Sequence, residues 1–215
     1  MAFAARLLRR PVAAVSKWQR IKADFLSGIV YHGTTLEIAS IVMREGFRGL
    51  EFDEITHDVF ARYGVTLNDL QPSMQRILGQ IEHSYEHEQH LISTSPAGEV
   101  AVRFAGQGGE VAAQIEACVQ GVFSTRSVQN SRISGEPVVV QAQIKDFDNT
   151  PHAKRARQMV DGMSRWVTND SHSEDDAADE LWSAYINFLC LPEQLEPKLL
   201  IRSTDLERLK HGPLR

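Results

Sequence analysis

Apolar residues recur along the chain with two periods, and each period predicts a different element. Val12, Val15, Trp18, Ile21 and Phe25 follow a helical spacing, so residues 12–26 read as a helix with Gly28 as its stop. Ile29-Val30-Tyr31-His32 is a short apolar run between Gly28 and Gly33 and reads as a buried strand. Thr34 then opens a second helix, with Glu37 three residues on to complete a capping box. Leu36, Ala39, Val42 and Met43 form its apolar stripe, Ile38 and Ile41 widen it, and Gly46-Phe47 closes it.

Residues 51–89 are polar and mostly helical in pattern, with Pro72 in the first turn of a helix over 71–88. Leu91-Ile92-Ser93-Thr94-Ser95 reads as a strand end, and Ser95-Pro96 as the cap and first residue of a helix carrying Val100, Ala101 and Phe104. Residues 110–122 read as a helix and 136–146 as a strand. Helices follow over 151–166 and 177–185, with a loop over 167–176 between them. Phe188-Leu189-Cys190-Leu191 and Leu199-Leu200-Ile201 complete the strands. Trp166, Trp182 and Tyr185 fall at helical spacing and are expected in the core. Short strands interleaved with helices predict an α+β fold.

The chain has 215 residues, 42 % of them apolar, enough for one domain with insertions or a small appendage. A net charge of −5 leaves no overall electrostatic footprint for nucleic acid. The basic run at 152–157 and the acidic run at 170–180 are read as solvated faces. Cys118 and Cys190 fit buried free thiols, which suits a reducing, cytoplasmic setting. No stretch approaches the roughly 20 apolar residues of a membrane span. Residues 1–23 carry six basic residues and no acid, a composition resembling an organellar transit peptide. The alternative adopted is a basic helix packed on the domain; secretion as an effector is a further option. Residues 1–27 are thus an N-terminal helix or extension, and 28–215 the domain, with insertions at about 48–89 and 147–180.

The candidate chemistry starts at Tyr31-His32-Gly33-Thr34. An imidazole at a strand end can hydrogen-bond a ribose hydroxyl. A glycine beside it lets a ligand reach a main-chain N–H and C=O, the complement of a carboxamide such as nicotinamide. With its following helix and Gly46-Phe47, this segment resembles the opening motif of the ADP-ribosyltransferase superfamily. The likeness is to the His-first branch of poly(ADP-ribose) polymerases, rifampin ADP-ribosyltransferases and RNA 2′-phosphotransferases. Ser93-Thr94-Ser95-Pro96, with Val100-Ala101 and Phe104-Ala105, is similar to the superfamily's second motif in its Ser-Thr-Ser form, found in the Arg branch of bacterial toxins.

The resemblance implies a split, mostly antiparallel sheet with helices outside and a ligand cleft between its halves. It implies NAD as substrate, with His32 on a ribose and Gly33 on the nicotinamide amide. Tyr31, Thr34, Ser93, Thr94, Ser95 and Phe104 would shape the pocket. The superfamily places a glutamate at a late strand start to stabilise the cationic ribose of the transition state. Asn187 stands there in this chain, and the nearby Glu193 is the substitute considered. Two readings follow. One is an NAD-dependent ADP-ribosyltransferase with a protein, nucleic-acid or small-molecule acceptor. The other is an inactive module of that fold, binding NAD, ADP-ribose or a partner protein.

A third reading comes from His83-Ser84-Tyr85-Glu86-His87, which fits the His-x-x-Glu-His pattern of inverted zinc peptidases, with His90 extending the face. A solvated helix rich in Glu and His explains the same letters, and no metal site is expected.

Overall fold

A computed structural model describes residues 15–86, 91–106, 110–121, 135–169 and 172–214. The basic segment before Val15 lies outside them. Helix α1 (Lys17–Ser27) opens with Ser16, whose Oγ accepts from the Gln19 N–H at 3.2 Å. It buries Trp18, Ile21 and Phe25, as their spacing predicts, and ends where Gly28 turns left-handed at φ 79°. Val15 is exposed.

Strand β1 (Ile29–Thr35) runs three residues further than the apolar run suggests. Its β-branched threonines continue the pairing with β3 (Pro137–Ile144) as far as Thr35, opposite Pro137. The cap of α2 (Leu36–Glu45) is therefore Thr35 and not Thr34. Thr35 Oγ1 accepts from the Ile38 N–H, so Glu37 falls one position short of a capping box.

Strand β3 also pairs antiparallel with β5 (Leu195–Ile201), giving the sheet order β1-β3-β5. A second antiparallel sheet joins β2 (Ile92–Thr94) to β4 (Phe188–Cys190). The two sheets meet at one bridge. Tyr31 donates to the Ser95 carbonyl at 2.7 Å, and Ser95 donates back to Tyr31 at 2.9 Å. The protein is thus α+β with two small antiparallel sheets.

Helix α5 (Gly98–Phe104) crosses β1 closely. It starts later than Ser95-Pro96 suggests, with Ala97 at the cap position. Ser95 Oγ instead accepts from the Ala97 N–H at 3.1 Å, which shapes the turn before the helix. Helices α7 (Pro151–Thr168) and α8 (Glu174–Ser183) add Ala153, Ala156, Val160, Ala177, Ala178 and Leu181 to the main core. Residues 147–180, read as an insertion, therefore help to build the centre of the fold. α8 begins three residues before the expected point because Ser173 and Asp176 form a capping box there. Glu174, Asp175 and Asp176 of the acidic run form the first turn of that helix, where the helix dipole favours carboxylates. A short α9 (Leu206–Leu209) closes the core; Trp182 Nε1 donates to the Leu209 carbonyl at 2.9 Å. Trp182 is buried as expected, whereas Trp166 is exposed and stacks on His172.

A second, smaller core lies in three further helices: α3 (Phe52–Tyr63), α4 (Pro72–Glu86) and α6 (Glu110–Val119). Phe52, Val59, Leu78, Ile81, Ile115 and Cys118 fill it. Residues 48–86 and 110–119 thus form a helical lobe in which an expected insertion joins a helix from outside its predicted range.

Candidate functional site

The geometry of the site follows from strand alternation. Even-numbered residues of β1 bond to β3, as the Gly28 and Ile144 pair and the Leu36 and Glu136 pair at its two ends show. Odd-numbered residues turn their N–H and C=O the other way, and Tyr31 uses both to bridge Ser95. Two residues on, the N–H and C=O of Gly33 face the same gap between the sheets. A cavity of about 460 Å³ opens there.

Gly33 is required for packing as well. A Cβ at this position would run into the Ala101 carbonyl oxygen and lie 2.8 Å from the Ala105 nitrogen. Glycine is what lets α5 sit on β1, and its main chain lines the cavity as a consequence.

His32 projects from the opposite face of β1. Its Nδ1 lies 2.8 Å from the Ser93 carbonyl. A carbonyl only accepts, so Nδ1 carries the proton and Nε2 of the neutral ring presents a lone pair. The ring edge meets Phe47, with centroids 5.8 Å apart. Burial pushes the His32 pKa below its usual value, against the opposing effect of the Ser93 bond, and so favours the neutral ring.

Ser93 is the member of Ser-Thr-Ser whose side chain serves the cavity. Its Oγ donates to Asn187 Oδ1 at 2.8 Å. The other two are structural. Thr94 is buried and donates to the Phe188 carbonyl at 3.0 Å; Ser95 is buried and occupied by Ala97 and Tyr31. Both still line the cavity. Asn187 immediately precedes β4, and its carbonyl accepts from Arg155 Nη1 at 3.2 Å. With Oδ1 taken by Ser93, its Nδ2 group is the donor left for a ligand. His32, Gly33, Ser93 and Asn187 thus come together although Gly33 and Asn187 are far apart in sequence.

Tyr31 and Thr34 line the cavity, but their side chains are buried. The Tyr31 side chain turns into the core, edge-on to Trp182 at 5.5 Å, with its hydroxyl 3.4 Å from Asp24 Oδ2. Glu193 lies in a 3-10 turn beyond β4, exposed, with its carbonyl bound by Lys145 Nζ at 2.7 Å. It does not line the cavity, because the chain leaves the far end of β2 at Cys190, opposite Ile92, and Glu193 lies beyond that point. Among the described residues, no carboxylate lines the cavity.

Phe104 is exposed at the cavity mouth beside Tyr185, ring centroids 6.2 Å apart. Tyr185 was expected in the core, yet it is 66 % exposed. α8 ends at Ser183, and the chain then alternates: Tyr185 out, Ile186 buried, Asn187 toward the cavity. That two-residue alternation was the available signal. The Arg155 contact had none, being 32 residues from its partner.

Arg48 is the one cation of the cavity wall among the described residues. Its guanidinium forks onto Glu54 at 2.7 and 2.8 Å, and Glu45 lies 3.4 Å away. Those bonds hold the Glu54 carboxyl down at a pKa of about 2. Of the zinc-peptidase pattern, His83 is exposed on α4, while the Glu86 side chain, His87 and His90 lie outside the described residues. Among the described residues no three His, Cys, Asp or Glu side chains converge on a point, and no helix is long and apolar enough to cross a membrane.

Comparison with known proteins finds no matching family model, no matching curated protein and no matching solved structure.

Proposed function

We propose that this chain is an ADP-ribosyltransferase-like module whose cavity holds the nicotinamide–ribose end of NAD. The observation that carries the reading is the convergence of a neutral His32 Nε2 acceptor and the outward N–H and C=O of Gly33 on one gap. Nicotinamide's carboxamide offers the matching acceptor and donor for Gly33, and a ribose hydroxyl the donor for His32. Phe104 and Tyr185 supply aromatic faces at the mouth. The nicotinamide riboside end fits this set. The pyrophosphate has no counterpart in it, since Arg48 is committed to Glu54, and it would extend out of the cavity.

Binding is favoured over glycosidic cleavage. Breaking the nicotinamide–ribose bond builds positive charge on the sugar, which an aligned carboxylate stabilises. Asn187 offers a dipole in that position and no net charge. A transferase would need its carboxylate from elsewhere.

Calorimetric titration with NAD tests the reading, alongside an assay for nicotinamide release. Saturable binding with negligible release is expected. His32→Ala should weaken binding by about 1–2 kcal/mol while leaving the fold intact. Absence of binding by NAD, ADP-ribose and nicotinamide alike would contradict it. Rapid release by the unaltered chain would restore the transferase.

A further inference from the structure

The polar groups just described occupy one wall of the cavity. The opposite wall belongs to the helical lobe and to the loop that enters it. Leu50, Ile55, Val111 and Ala112 line it, all apolar. Tyr85 adds its ring, its hydroxyl being spent on the Leu50 carbonyl at 2.6 Å. Arg48, the cation there among the described residues, is paired with Glu54 and Glu45.

We propose that this lobe-facing wall is a binding site for an uncharged, largely apolar small molecule or group. The inference rests on the cavity itself and stands whether or not NAD occupies the other wall. Size selects the occupant. A cavity of about 460 Å³ is in the range that holds a small molecule. Two turns of a helix 10 Å across displace on the order of 850 Å³, so a partner helix does not fit. Charge selects its chemistry. Among the described residues, a carboxylate or sulfonate would be desolvated against Ile55 and Val111 with no unpaired cation to receive it, and an ammonium would meet no acid. An apolar body loses only its contact with water.

The test uses the full chain and N-phenyl-1-naphthylamine, a neutral apolar fluorophore, beside its anionic relative 1-anilinonaphthalene-8-sulfonate. The neutral probe should bind saturably at one site, at least ten-fold tighter than the sulfonate. Val111→Asp should weaken the neutral probe at least ten-fold. Leu50→Ser, in the loop before α3, should weaken it about three-fold and stands in if Val111→Asp does not fold. Equal or tighter binding of the sulfonate, no saturation, or full affinity in a folded Val111→Asp protein would overturn the proposal. NAD binding is measured in parallel by calorimetry. Probe binding without NAD binding sinks the proposed function alone, and NAD binding without probe binding sinks this inference alone.

Discussion

The two cores that enclose the cavity are built differently. The main core packs five strands against α1, α2, α5 and the helices after β3, and most of its cavity-lining polar residues arrive on strands whose alternation fixes their direction. The lobe packs three helices on each other through Ile115 and its neighbours, and offers the cavity side chains without directed main-chain groups. The difference separates two tasks. The sheets determine which polar atoms face the cavity. The lobe determines how much apolar volume lies opposite them.

The comparison breaks most sharply at Gly33. Gly33→Ala should destabilise the protein by about 4 kcal/mol, because its Cβ collides with main-chain atoms of α5 that cannot turn aside. Urea unfolding measures this, and a loss under 1 kcal/mol would mean that β1 and α5 are not packed as described. In the lobe, Ile115→Ala should cost about 3 kcal/mol through cavity formation. Hydrogen exchange should show the loss first in α3, α4 and α6, with β3 still protected. Uniform loss across β3 would make the two cores one cooperative unit.

Asn187→Glu sharpens the chemical side. A carboxylate beside Ser93 should raise nicotinamide release from NAD at least ten-fold, about 1.4 kcal/mol of barrier. Unchanged release in a variant that still binds NAD would show that position 187 does not face the ribose.

The smallest effect concerns Asp24, behind the site. Burial raises its pKa to about 6, against the lowering effects of the Tyr31 hydroxyl and Arg20. The folded state therefore holds this proton more tightly than the unfolded one. Stability from Asp24 is lost as pH rises through the window from about 4 to 6 and stays lost above it. Asp24→Asn should raise the melting temperature more at pH 8 than at pH 4, by a few degrees. An equal gain at both pH values would remove the ionisation from the account.

Much of this was legible in the sequence, and the limits have physical causes. The Gly28 and Gly46 stops, the buried face of α1 and the strand at β3 follow from local patterning. His32, Ser93 and Asn187 were legible as candidates, and the structure gathers them at one cavity. The side-chain directions of Tyr31 and Thr34 were not, because a motif names neighbours while a strand sends alternate residues to opposite faces. Glu193 was a matter of spacing: the late strand is short, and the glutamate lies past its end. The lobe was least legible. α6 joins α3 and α4 across a chain separation that no periodicity encodes.

The central claim is that the Gly33 main chain and the His32 ring meet one ligand in one gap. Amide and side-chain chemical shifts followed during titration of labelled protein with NAD test this most directly. The expected result is saturable shifts at the Gly33 amide, the His32 ring and the Asn187 side-chain amide, with one shared affinity. Shifts confined to other parts of the surface, or none at millimolar NAD, would contradict it.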